Sequence, residues 1–202
     1  MDVSNGPDHP SPEQYRHPCA WDAPLAELTV PALLERAARE APGAPAIDFL
    51  GRIYTYAQIL DEARRVAFAL AARGIRPGDR VGLFLPNVPI YLSAYYGAML
   101  AGAVVVNFSP LYSADELAAQ VADSGARMLV TVDVASLLPT ALKVLEGSAL
   151  ETVVVGSLGA MLPWPKRLAL KVLGRKALAR MPERADVMRW SDLQSDASVP
   201  LP

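Results

Sequence analysis

One cysteine, Cys19, and two histidines, His9 and His17, are all that 202 residues hold of the side chains most used for metal binding and neutral-pH catalysis. An intrachain disulfide is excluded, and so is a zinc tetrad of Cys and His. Because no histidine follows position 17, a Ser-His-Asp or Cys-His relay within the folded core is excluded as well. His17, Cys19 and Asp22 stand in a Pro-rich lead-in that specifies no element, and no chemistry is assigned to them. The phosphate-cradling patterns G-x-G-x-x-G and G-x-x-x-x-G-K-[ST] are missing, as is the G-x-S-x-G nucleophile elbow. Gly97, Gly102, Gly156 and Gly159 are too scattered to hold a phosphate and read as packing and turn glycines. A net charge of −2 supplies no global attraction for nucleic acid. The amino terminus has no apolar run behind a positive segment, so neither a secretory signal nor a transit peptide is expected, and the cytoplasm is the expected location.

Charge is also absent from the whole stretch between Arg80 and Asp115. Its apolar part, 88–106, is as long as a membrane span, yet Pro86 and Pro89 open it, Gly97 and Gly102 interrupt it, and no basic anchors flank it. It divides instead into a helix from Pro89, stopped by Gly102, and a buried strand over 103–107. What surrounds it has the same grammar. A first helix is expected over 29–40, ended by Pro42 and Gly43. Runs 46–50 and 53–56, joined by Gly51-Arg52, predict a hairpin with a type II′ turn. Thr55 with Gln58 and Ser113 with Glu116 have the form of capping boxes, each opening a helix. The first of these helices buries Leu60, Ala63, Ala67, Leu70 and Ala71 and ends at Gly74; the second ends at Gly125. Apolar runs at 81–85, 103–107, 128–132 and 152–156 predict strands covered on both faces, with a helical stretch broken near Pro139 between the last two. Strands and helices alternate, so the expected fold is α/β: an open, mostly parallel sheet with helices on both faces, preceded by a short hairpin. Asp133, ending a strand, reads as the cap of the segment that follows it.

From Met161 to Arg184 the balance of charge changes abruptly, with seven basic residues against Glu183 alone. On a helix, Leu170, Leu173, Ala177 and Met181 form an apolar seam flanked by Lys166, Arg167, Lys171, Arg175, Lys176 and Arg180, with Trp164 just ahead. Two readings fit this pattern: the seam attaches reversibly to an anionic membrane surface, or it packs on its own domain with the cations solvated. Nucleic acid fits less well, because no aromatic residues interleave with the charges.

Three segments, in order, carry a resemblance. Residues 47–60 (IDFLGRIYTYAQIL), 73–87 (RGIRPGDRVGLFLPN) and 98–117 (AMLAGAVVVNFSPLYSADEL) resemble the amino-terminal part of the adenylate-forming acyl-CoA synthetases, and the last of them resembles the long- and medium-chain fatty-acid branch. The basic segment near 161–184 is similar to one in that branch. The resemblance implies a fatty-acid:CoA ligase. A carboxylate attacks the α-phosphate of ATP to give acyl-adenylate and pyrophosphate, with Mg²⁺ neutralising phosphate charge, and the thiol of CoA then displaces AMP. It also implies that the phosphate loop, the aromatic-Thr-Glu motif, the ribose-binding aspartate and the carboxy-terminal lysine lie after Pro202. No catalytic residue is therefore assigned within the chain, which is expected to be inactive alone and to bind none of these cofactors tightly.

The organisation expected on that basis is an arm (1–28), an α/β core (29–160), a basic amphipathic insertion (161–185) and a connection toward the phosphate-loop region (186–202). Phe108, Ser109 and Pro110 match a loop that approaches the CoA nucleotide in some relatives; a turn held by Pro110 and the Ser113 cap, without a ligand, is the more economical reading of these residues. No arginine follows Asp133 where some relatives bind the CoA 3′-phosphate. The implied partners are a fatty acid, the enzyme's own carboxy-terminal region, a second copy in a homodimer and, through the basic segment, the inner membrane face. An aryl- or coumarate-CoA ligase, an acyl-AMP ligase, a peptide-synthetase adenylation domain and a non-catalytic membrane-binding or oligomerisation module are the alternatives.

Overall fold

The computed structural model describes residues 23, 24 and 27–195; the residues His9, His17, Cys19 and Asp22 lie outside them. Helix α1 (Val30–Glu40) opens where the Thr29 hydroxyl accepts the Ala32 N–H. Strands β1 (Pro45–Phe49) and β2 (Arg52–Thr55) form the expected antiparallel hairpin, but Phe49 pairs with Arg52, so the turn residues are Leu50 and Gly51 rather than Gly51 and Arg52. Both have positive φ, 55° and 90°, the sign pattern of a type I′ rather than a type II′ turn. The shift keeps Arg52 in the ladder, with its guanidinium 4.7 Å from the centre of the Tyr54 ring.

Both capping boxes form. Thr55 and Gln58 open α2 (Tyr56–Ala72), and Ser113 and Glu116 open α4 (Ala114–Ser124), whose far end is turned by Gly125 at φ 65°. Along α2 the buried stripe is Leu60, Ala63, Ala67 and Leu70, joined by Ile59 and Val66; Ala71, expected to be buried, faces solvent. The uncharged stretch divides as expected into α3 (Pro89–Leu100) and β4 (Val104–Phe108). Among the described residues no helix is long and apolar enough to cross a membrane. Pro139 does not break a helix: it occupies the first turn of α5 (Leu138–Gly147), where its missing N–H costs no hydrogen bond.

Five parallel strands make the main sheet. They are β3 (Arg80–Phe84), β4, β5 (Met128–Val132), β6 (Thr152–Gly156) and β7 (Val187–Arg189), in the order β4-β3-β5-β6-β7. All five residues of β5 are buried, so both faces are covered there. By contrast β4 is an edge strand whose Val104 is exposed, against the expectation that so apolar a strand is buried on both sides. A fifth strand within 186–202 was not expected; β7 pairs with β6 and leads into α8 (Trp190–Ser195), whose Leu193 is fully buried. Helix α2 packs on α3 and α8, while α4 packs on α5. The α2–α3 contact depends on Gly97, where a Cβ would lie 2.6 Å from Val66 Cβ and 2.8 Å from the Ala63 carbonyl oxygen. Across the same contact the Ser93 hydroxyl, fully buried, donates to Glu62 Oε2 at 2.7 Å.

Candidate functional site at the carboxyl edge of the sheet

Parallel strands bring their carboxyl ends to one edge, and β3 sends the chain to β4 on one side and shares its other side with β5. A reversal of this kind opens a crevice where such sheets bind ligands. A cavity of about 330 Å³ lies at this edge, and its polar lining includes Arg52, Glu62, Asp133, Ser157, Arg189 and Gln194. Asp133 Oδ1 accepts the Leu158 N–H at 2.7 Å, so the carboxylate caps α6 (Leu158–Met161) and not, as expected, the segment that follows it in sequence. The main chain of Asp133 is also tied down, its N–H donating to Gly156 and its carbonyl accepting from Ala179, each at 2.9 Å. Gln194 Nε2 is buried without a hydrogen-bond partner. Two guanidinium groups, two carboxylates and an unpaired amide thus surround one space, able to hold a polar ligand by charge and hydrogen bonds. Arg52, Glu62, Arg189 and Gln194 come from four separate segments with no motif, so only the folded topology reveals them.

The residues proposed beside CoA sit at the same edge with unequal roles. Phe108 is 4% exposed, and its ring covers Gly82 so closely that a Cβ there would lie 2.5 Å from it. It is a core residue. Ser109 and Pro110 are half-buried and begin the turn into α4: the Ser109 hydroxyl and carbonyl accept the N–H groups of Leu111 and Tyr112. Beside them, the Tyr91 hydroxyl donates to Asn107 Oδ1 at 2.9 Å.

The basic segment is not one helix. Helix α7 (Trp164–Leu173) ends at Gly174, whose N–H donates to the Leu170 carbonyl, and a 3₁₀ turn follows over Arg175–Ala177. The predicted seam is therefore divided: Leu170 is half-buried, Leu173 and Ala177 are exposed, and Met181 packs against the main core. Trp164, Lys166, Arg167, Lys171, Arg175, Lys176 and Arg180 are all exposed.

The resemblance implies ATP and Mg²⁺, and the donors each would need can be sought among the described residues. Among the described residues no three His, Cys, Asp or Glu side chains converge on a point where a metal ion could sit, and no Gly-rich turn follows a strand.

With the fold in view, the relationships of the chain are consistent. The family model "AMP-binding enzyme" matches residues 34–186, and the chain belongs to that family. It is 34% identical over 155 residues to a long-chain-fatty-acid–CoA ligase of Bacillus subtilis, a match covering 77% of this chain and 27% of that protein. Over a shorter stretch of 95 residues it is 41% identical to a feruloyl-CoA synthase of an Amycolatopsis species, covering 47% and 19%. The crystal structure of an anthranilate CoA ligase in complex with anthranoyl-AMP superimposes with a TM-score of 0.65 at 20% identity, covering 84% of this chain and 28% of that one, which establishes a shared fold. The chain thus spans less than a third of the length of each.

Proposed function

We propose that this chain is the amino-terminal part of an ATP-dependent fatty-acid:CoA ligase, which joins a fatty acid to CoA through an acyl-adenylate and releases AMP and pyrophosphate. The observation that carries the reading is the 34% identity to the Bacillus subtilis long-chain ligase over 155 residues, 77% of this chain. In this reading the chain supplies a scaffold and one polar wall. Its carboxyl edge, with Ser109 and Pro110 at the end of β4 and the cavity at β5 and β6, faces the site where acyl group and CoA meet. In this reading phosphate chemistry belongs to residues of the full enzyme outside the chain. The 41% identity to a feruloyl-CoA synthase favours a second reading, in which the acid is aromatic.

Acyl-CoA formation from ATP, CoA and a panel of short- to long-chain fatty acids and hydroxycinnamic acids tests both. The full gene product and the 202-residue chain are assayed side by side. The expected outcome is turnover of long-chain acids by the full product and none by the shorter chain. Turnover of aromatic acids alone selects the second reading, activity in the short chain refutes the placement of the catalytic residues, and silence from both refutes the ligase reading.

A further inference from the structure

Every other α-helix among the described residues buries at least one side chain, whereas α7, ten residues long, buries none. Its apolar residues are displayed, not scattered. Trp164, Leu168 and Val172 recur at i, i+4 and i+8 and so form one row along the helix; they are 75%, 49% and 63% exposed, and Leu173 at the end is 84% exposed. At 100° per residue, Arg167 and Lys171 fall beside this row on one flank, whereas Lys166 lies on the opposite face, toward the hairpin. Arg175, Lys176 and Arg180 follow directly. Among the described residues none of these six cations makes an ion pair, and no acidic residue occurs between Glu151 and Glu183.

The helix is also held in place. Two carbonyls at the carboxyl end of α6 are bonded from outside the helix: Arg52 Nη1 donates to Ala160 and the Tyr54 hydroxyl to Met161. Lys166 Nζ donates to the Leu50 carbonyl at 2.9 Å. The hairpin thus fixes the start of α7 against the body and leaves the Trp164–Leu168–Val172 row outward.

We propose that this row and its flanking cations form a docking surface for a lipid bilayer bearing anionic headgroups, with α7 lying in the plane of the interface. The proposal is independent of the ligase reading. A helix of ten residues is about 15 Å long, too short to cross a bilayer and sufficient to sink one face into it. A bilayer surface offers both features the helix lacks on the protein: apolar depth for Trp164, Leu168 and Val172, and negative charge for cations whose stems reach to the headgroups. A nucleic acid would satisfy the charges and leave the aliphatic row in water, and it would call for interleaved aromatics that are not there.

Vesicle flotation with the full 202-residue chain, without ATP or acyl substrate, tests this. Phosphatidylcholine vesicles are compared with ones containing about 30% phosphatidylglycerol, enough to give a strongly negative surface. Binding to the anionic vesicles only is expected. Lys171→Gln, Arg175→Gln and Lys176→Gln should each weaken it about fivefold, the equivalent of about 1 kcal/mol per cation. Val172→Ser with Leu173→Ser should weaken it more than tenfold, since both side chains are exposed and their loss leaves the fold intact. In a Trp21→Phe background, brominated lipid should quench Trp164 fluorescence, and a further Trp164→Phe should remove that signal while Trp190 stays buried. The proposal fails if neutral and anionic vesicles are bound alike. It fails if the Ser variants keep full binding and heparin competes, which would mark a general polyanion surface. It fails also if the full gene product does not bind and acrylamide cannot reach Trp164, which would show that further protein covers α7.

Discussion

Leu50 adopts φ +55°, a region that costs an L-residue with a large side chain about 1 kcal/mol or more, yet it occupies the first turn position of the hairpin. The position is tolerated because its neighbours support the turn: Asp48 Oδ1 accepts the Gly51 N–H at 2.8 Å, and the Leu50 carbonyl receives Lys166. The leucine side chain itself is exposed and contributes no buried area. Leu50→Asn, a residue far better suited to left-handed backbone, should therefore raise the stability of the chain by up to about 1 kcal/mol, read as a higher urea midpoint at unchanged slope. A lower midpoint would show that the leucine makes a contact of value. The same residue explains why the turn lies one position earlier than the sequence predicts. Gly51 signalled a two-residue turn correctly, but a turn with Leu first breaks the usual residue preference, so the strand ladder was displaced by one position. At Gly97 the sequence was more informative, since a glycine within an apolar helix pattern has few uses besides close packing. Phe108 shows the opposite: a ring at the end of a strand looks the same whether it faces a ligand or covers a glycine on the neighbouring strand.

Among the elements, the hairpin does more than precede the sheet, because β2 supplies the donors that satisfy α6 and thereby orient α7. Tyr54→Phe removes one of them and leaves the Met161 carbonyl without its partner. The expected result is a loss of about 1 kcal/mol, with faster amide exchange concentrated in 158–166 and little change in β3 or β5. Uniformly raised exchange would show that the link is part of the global core instead. None of this coupling is visible in sequence, where Tyr54 and Met161 are separated by 107 positions. What was legible at this scale was local: capping boxes, proline at helix starts, and three apolar strands, 81–85, 128–132 and 152–156, whose bounds agree with β3, β5 and β6 to within a residue. Strand β7 escaped because three residues, Val187–Arg189, are too few for a periodicity to register. The outward row of α7 escaped because its spacing of four competes with a second apolar spacing, Leu170 to Leu173, that ends where Gly174 stops the helix.

At the scale of the whole molecule the two edges of the main sheet have different characters. The carboxyl edge carries the open cavity, whereas at the amino edge Arg127, just before β5, donates to Asp79 before β3 at 2.7 Å and to both oxygens of Glu151 before β6 at 2.8 Å. Arg184 repeats the device near β7, bridging Glu146 and Asp186. The amino edge thus ties three strands together through Arg127 and the start of β7 to the end of α5 through Arg184, while the other edge is left for a ligand. This arrangement predicts a pH dependence. Asp79 is held below the ordinary carboxylate range, first by the Arg76 N–H and then by Arg127, and Glu151 is held low by its hydrogen bonds from Arg127. In the unfolded chain both take up protons at a higher pH than in the folded one. Their stabilisation is therefore complete above the ordinary carboxylate range and is lost as pH falls through that range toward the depressed values. Arg127→Met removes the cation they share. The urea midpoint of the variant should lie below that of the parent at about pH 7, and the gap should narrow steadily toward about pH 3, where the carboxylates of both proteins are being neutralised. Because the three groups are partly exposed, added salt should narrow the neutral-pH gap too. Curves that run parallel across this range would mean that Arg127 acts through the packing of its stem, and that the amino edge is held by the sheet ladder rather than by charge.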